Sequence, residues 1–276
     1  MLQRSEEFRT SPRAVKTKLG WPLSQVFVSR PAKVIYCPIG KNACTFLKSE
    51  VTRTAGLAHI DHIARDIHFI TDTVRTGMQL SDHSPQEVER LIHDETYLRF
   101  AVLRDPMDRL LSAYVEKFVQ HRNTPLNIFH TRSVVDPVQA AVGLDASDYD
   151  RGITFRDFIE HVTSVDATTL DPHWRPQAHY LQGITYDRLF RMDQINDLME
   201  ILEARSGVSL GRQARNVTGS GKGTDQPGAQ DLLPAQIEAG PKLSKASFFD
   251  TDMRQAVESA FASDYTLLQR TKDIAS

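Results

Sequence analysis

The stretch IYCPIGKNACTFLK, running from Ile35 to Lys48, decides how the rest of the chain is read. It completes a β-branched and aromatic run that begins at Lys33 (KVIYC) and is closed by Pro38, the pattern of a short buried strand. From Ala43 to Thr54 the apolar residues Phe46, Leu47 and Val51 recur at helical spacing. Strand, Gly-Lys loop and helix follow one another in the order of a phosphate-binding loop. The first N–H groups of a helix have no intrahelical partner and lie at the positive end of its dipole, so they favour an anion. Lys41 adds a mobile cation and Thr45 a hydroxyl within one turn. The Walker pattern is nevertheless broken, because Asn42 follows Lys41 where Ser or Thr belongs, and no glycine precedes Gly40 at the required distance. On these residues alone, a plain strand-to-helix turn with a solvated lysine explains the loop equally well.

A second unit of the same kind shifts that balance. Tyr97 to Leu103 (YLRFAVL) reads as a strand ending at Arg104, and Asp105-Pro106 is a helix entry with Asp at the N-cap and Pro in the first turn. Leu110, Leu111, Tyr114, Val115 and Phe118 then form one apolar helix face. In an open parallel sheet, ligands lie across the carboxyl ends of the strands. One strand end offers Lys41 and Thr45, the other Arg104 and Ser112, a set suited to a ligand with two separate phosphates.

Elsewhere the pattern predicts helices over Ser84–His93, Phe155–Val162, Gln194–Arg205 and Thr251–Leu268, and a strand over Arg188–Arg191. Alternating strands and helices favour a parallel sheet with helices on its faces, an α/β fold of P-loop-like, three-layer architecture. Residues 1–29 read as an extension or peripheral element, and 30–276 as one domain with a mobile loop over about 211–241, a stretch rich in Gly, Ser, Gln and Pro. No internal repeat is visible.

Composition is that of a globular protein, 40% apolar and 25% charged with net charge -2, so a nucleic-acid partner is not expected. The two cysteines, Cys37 and Cys44, give neither a zinc nor a disulfide framework. The N-terminal segment has no apolar signal core, and no apolar run approaches the length of a membrane span. The expected compartment is the cytoplasm.

The segments CPIGKNACTFLK and FAVLRDPMDRLLSAYVEKF, with DPHWRPQ at Asp171–Gln177 and the terminal FFDTDMRQAVESAFASDYTLL, resemble the motifs of carbohydrate sulfotransferases. These enzymes use 3′-phosphoadenosine 5′-phosphosulfate (PAPS), and the similarity is to the branch containing the HNK-1 and chondroitin 4-O-sulfotransferases. It runs from about Lys33 to Leu268, with Gly40 standing where that family usually has Pro. A counterpart of the membrane anchor and stem of its Golgi members is not expected.

The resemblance implies sulfuryl transfer from PAPS to a hydroxyl, most simply of a carbohydrate, releasing adenosine 3′,5′-bisphosphate without need of a metal. Lys41 and the loop residues Asn42, Ala43, Cys44, Thr45 and Phe46 would hold the 5′-phosphosulfate, and Arg104 with Ser112 the 3′-phosphate. Lys41 would also stabilise charge on the departing nucleotide. For the base that deprotonates the acceptor, His68 ranks first and His173 second. Trp174 and His173 otherwise read as a packed corner.

GSGKGT, Gly219–Thr224, lacks the flanking strand and helix of a P-loop. It is read instead as part of the mobile loop, bringing Asn216, Ser220 or Lys222 to the nucleotide. Arg109, Lys117 and Arg122 read as a solvated helix face, and Asn123–Asp150 as the segment that shapes the acceptor pocket. His59 and His62 lack a third ligand, so no metal site is expected. Two rivals remain on sequence: a P-loop nucleotide kinase, and a non-catalytic protein that binds adenosine 3′,5′-bisphosphate.

Overall fold

A computed structural model describes residues 19–56, 60–68, 71, 75–212 and 223–273. The chain forms two compact units, one within residues 1–103, 177–216 and 271–276, the other within 104–176 and 217–270.

The first unit is built on a four-stranded sheet of order β1 (Phe27–Ser29), β2 (Val34–Cys37), β3 (Leu98–Leu103) and β4 (Arg188–Arg191). β1 pairs antiparallel with β2, while β2, β3 and β4 run parallel, with Cys37 opposite Ala101 and Leu103 opposite Arg191. β2 is buried along its whole length, as its unbroken apolar run requires of a strand covered on both faces. Helices α1 (Cys44–Arg53), α2 (Ile60–Arg65) and α3 (Pro85–His93) lie between β2 and β3 in the chain. Ser84 caps α3 by accepting from the N–H of Glu87. Phe46, Leu47 and Val51 of α1 pack with Tyr36, Phe100 and Phe190 of the sheet and with Leu198 and Leu202 of a later helix, α7 (Ile195–Ser206). β1 lies inside the stretch read as peripheral; at three residues it is too short to show a period, yet Val26, Phe27 and Val28 are buried.

The second unit is helical around its own core. α4 (Pro106–Tyr114) starts at Asp105, whose carboxylate accepts from the N–H of Asp108, and runs on into a π-helical turn over Val115–Gln120. α5 (Pro125–Ala141) and α6 (Phe155–Ser164) follow, then α8 (Pro234–Ala239), α9 (Thr251–Ala260) and α10 (Ala262–Asp273). Leu110, Tyr114, Phe118, Phe155, Phe158, Trp174 and Phe261 meet in this core.

Three expectations change here. The loop expected over 211–241 carries α8 and a turn at Ala229–Asp231, because Ala229, Leu232 and Ile237 join the core and Arg156 bridges Asp231 to Asp250 at 2.6 and 2.8 Å. The single C-terminal helix is two, broken at Phe261, whose ring is buried while its backbone leaves helical geometry. Finally, α5 was not visible as a helix because Pro137 lies inside it, where proline normally interrupts one. Among the described residues no helix is long and apolar enough to cross a membrane.

Candidate active site

The Gly-Lys loop leaves the carboxyl end of β2 through strained backbone. Lys41 and Ala43 have φ of 71° and 54°, left-handed values that cost an ordinary L-residue about 1 kcal/mol or more. Ala43 is the N-cap of α1, and no side chain caps that helix among the described residues. The first helical bond runs from the N–H of Leu47 to the carbonyl of Ala43. The amides of Ala43, Cys44, Thr45 and Phe46 thus precede the hydrogen-bonded part of α1, as donors for an anion.

Asn42 has a different task from the one expected. Its side chain is 1% exposed, and its Nδ2 donates to the carbonyl of Val102 at 2.8 Å and to Oε1 of Gln177 at 2.6 Å. Its backbone N–H turns back to the carbonyl of Ile39. Asn42 therefore ties the loop to the end of β3, two residues before Arg104, and has no donor left for a phosphate. Phe46 likewise sends its ring into the core and offers its backbone amide alone. Cys44 is half-buried; Cys37 is buried and donates to the carbonyl of Tyr180, with its thiol pKa pushed up to about 12 by burial.

Beside the loop stands His68, exposed, with Nε2 3.0 Å from the hydroxyl of Thr45 and Nδ1 3.3 Å from Nζ of Lys48. Lys48 itself is buried, its ammonium 5.5 Å from the ring centre of Phe27. Sequence reasoning missed Lys48, since one lysine on a helix face carries no local signal.

In the second unit, Arg104 is half-buried at the entry to α4, and burial lowers its pKa from the ordinary arginine value. Ser112 is buried on α4. Lys245 reaches Asp105 and Asp108 at 3.2 and 2.7 Å, adding a cation to this helix start that the sequence did not point to. The helix face read as solvated is not. Arg109 is 1% exposed and donates to the carbonyls of Pro172 and Arg175 at 2.9 and 2.7 Å. Lys117 is buried against Asn127, and Arg122 donates to the carbonyls of Asp150 and Val119. Charged residues on a predicted helix look solvated until the loop that covers them is known.

The DPHWRPQ segment is where Arg109 acts. Trp174 is fully buried between Phe118 and Phe158, the packed corner expected of it. His173 beside it is half-buried, and its Nδ1 lies 2.7 Å from Oδ1 of Asp171, which also accepts the backbone N–H of His173 at 2.9 Å. A second imidazole, His130 on α5, reaches the other oxygen, Oδ2, at 2.9 Å. Burial raises the pKa of Asp171, but the hydrogen bonds from His130 and His173 outweigh it and hold the carboxyl well below its usual range. An ionised carboxylate only accepts, so both imidazoles carry a proton on Nδ1 and donate it to Asp171. Burial lowers the pKa of His173 more than Asp171 raises it, which favours the neutral, proton-accepting ring. Ligand-type atoms of His130, Asp171 and His173 lie within 4.8 Å of one another, and donor–acceptor pairing accounts for their arrangement. His130 was missed because it lies 41 residues from its carboxylate.

Asn216, Ser220 and Lys222 lie outside the described residues. Gly223, the last glycine of GSGKGT, allows close backbone approach, since a Cβ there would come within 2.3 Å of the Leu243 carbonyl carbon. Thr224 then exchanges backbone hydrogen bonds with Lys242 and Ser244.

Compared with known proteins, residues 24–269 match the model of the sulfotransferase family. The chain is similar to carbohydrate sulfotransferase 14 of Mus musculus, 28% identical over 185 residues, which are 66% of this chain and 46% of that protein. It is also similar to carbohydrate sulfotransferase 8 of Homo sapiens, 26% identical over 200 residues, 71% and 45% of the two chains. Carbohydrate sulfotransferase 10 of Homo sapiens is 25% identical over 169 residues, 60% and 45% of the two. The chain spans about half the length of the curated relatives it matches. No solved structure matches it.

Proposed function

The chain belongs to the sulfotransferase family, and from that premise we propose that it transfers a sulfuryl group from PAPS to a hydroxyl of a carbohydrate. The observation that carries the reading is the β2–α1 loop, an uncapped helix start with Lys41 and Thr45 beside four amides that precede its first helical bond. At the position where a Walker loop presents a hydroxyl to Mg²⁺, this loop has Asn42, turned inward onto Val102 and Gln177. That favours a phosphosulfate over a magnesium nucleotide and counts against a kinase.

In this mechanism the acceptor oxygen attacks sulfur in line, the bond from sulfur to the bridging oxygen of the 5′-phosphate breaks, and adenosine 3′,5′-bisphosphate leaves. Lys41 and the amides of Ala43 to Phe46 hold the 5′ side and meet the charge that develops on the bridging oxygen. The assignment of Arg104 and Ser112 to the 3′-phosphate rests on the family resemblance and on arginine's fork of donors. The acceptor proton goes to Nε2 of His173, whose Nδ1–H is held by Asp171. This reverses the sequence ranking of the two histidines. His173 has a lone pair on a ring oriented by a carboxylate, whereas both nitrogens of His68 already have partners.

The test is thermal stabilisation by adenosine 3′,5′-bisphosphate against ATP and ADP. A ligand at 100 times its dissociation constant stabilises a fold by about 2.7 kcal/mol. Preference for ATP, or no response to the bisphosphate, sinks the reading. Binding of the bisphosphate without turnover of PAPS would mark a non-catalytic binder.

A further inference from the structure

We propose that Lys48 and His68 form a proton-ordering relay that makes the hydroxyl of Thr45 a donor to the 5′-phosphosulfate, so that His68 is a positioning residue and not the base. The inference rests on the reading above that the β2–α1 loop holds that group.

The argument starts from what each atom can do. A lysine ammonium has three donors and no acceptor, so the contact between Nζ of Lys48 and Nδ1 of His68 at 3.3 Å requires the lone pair to be on Nδ1. A neutral imidazole has one N–H, which is then on Nε2. At 3.0 Å from Thr45, that N–H donates to the hydroxyl oxygen. The hydroxyl proton of Thr45 is thereby directed away from His68. Thr45 is the second residue of α1, within the uncapped first turn where an anion is expected. A hydroxyl free to rotate would spend part of its time as an acceptor, repelling a phosphate oxygen, and the relay removes that state.

Two features of the packing support this assignment. Lys48 is 7% exposed, and its ammonium is held over the ring of Phe27 on β1, so it approaches His68 from one fixed side. Thr45 and Lys48 are three residues apart on one helix, and hence neighbours on the face that meets His68. As a base, His68 would need a free lone pair directed at the acceptor. The relay leaves it an N–H at one nitrogen and a filled acceptor at the other.

Glutamine separates the two roles. Its amide can donate to Thr45 and accept from Lys48, reproducing the relay, but it cannot take up a proton. His68→Gln is expected to bind adenosine 3′,5′-bisphosphate within about twofold of wild type and to retain turnover of PAPS. His68→Ala and Lys48→Met should each weaken bisphosphate binding about tenfold, the worth of one lost hydrogen bond. Because both act through one chain of bonds, the double variant should be no weaker than either single one. The relay is overturned if His68→Gln is as inactive as His68→Ala while both bind the bisphosphate normally, since His68 would then be the base. It is equally overturned if His68→Ala binds and turns over as wild type. Nitrogen-15 NMR of the His68 ring reads the relay without any ligand: an Nε2–H tautomer is expected, and an Nδ1–H tautomer refutes it. Failure of the wild type to bind the bisphosphate would refute the sulfotransferase reading instead.

Discussion

Replacing Asp171 by Asn tests how the carboxylate serves the proposed base, and the geometry says which oxygen keeps its role. Oδ1 accepts two donors from His173, its backbone N–H and its Nδ1–H, while Oδ2 accepts one from His130. The backbone N–H cannot change its role, so the amide oxygen of Asn stays at the Oδ1 position and the NH₂ faces His130. His130 must then move its proton to Nε2, but His173 keeps the tautomer that leaves Nε2 bare. The substitution therefore removes the charge and spares the geometry of the base.

At an effective dielectric of about 20, two unit charges 4 Å apart interact by about 4 kcal/mol. Both side chains are partly exposed, 13% and 27%, so screening reduces this. A neutral hydrogen bond also remains, and the expected loss is about 2–3 kcal/mol of imidazolium stabilisation, or about 30- to 150-fold in kcat/KM. The sign for pH follows directly. Without the anion His173 holds a proton less tightly, so the acid limb of the rate profile moves to lower pH. Asp171→Ala loses orientation as well and should be worse by about a further tenfold. The assay is initial-rate release of adenosine 3′,5′-bisphosphate from PAPS, with a carbohydrate acceptor, over roughly pH 5.5 to 8.5. A folded Asp171→Asn protein with an unmoved acid limb and a loss below about threefold would refute the assignment of His173.

Two further predictions concern the supports of the site. Asn42→Ser restores the Walker-like Gly-Lys-Ser but strands the carbonyl of Val102 and Oε1 of Gln177; it should cost about 2 kcal/mol, seen as a melting temperature about 4–8 °C lower, and gain no affinity for ATP. Arg109→Met keeps the length of the side chain but releases the carbonyls of Pro172 and Arg175. It should cost about 3–4 kcal/mol and raise amide exchange over residues 170–177 ahead of the rest of the chain.

Much of the scaffold was legible because its signals are local. β2, α1, α3, β3 and α7 fall within a residue or two of where apolar period and the Ser84 cap place them, and α4 starts where Asp105-Pro106 places it. The β2–α1 loop could also be read as an anion site, since the strand, Gly-Lys and the helix start are contiguous. α5 was hidden by Pro137, and β1 by its three-residue length. The ordering of 223–241 depends on Arg156, 75 residues from Asp231 in the chain.

By itself the sequence determined the α/β class, the family and the two strand-to-helix turns that carry Lys41 and Arg104, because each depends on residues within a few turns of one another. Tertiary structure alone decided what the individual side chains do. Asn42 became a buried tie because the carbonyl of Val102, 60 residues away, lies beside it. Arg109 became the support of the histidine loop because segment 172–175 folds over it. The tautomers of His68 and His173 follow from Lys48 and Asp171, since a ring nitrogen is donor or acceptor according to the atom opposite it. Such pairings are set by distance in space, and residue type and spacing along the chain leave them open.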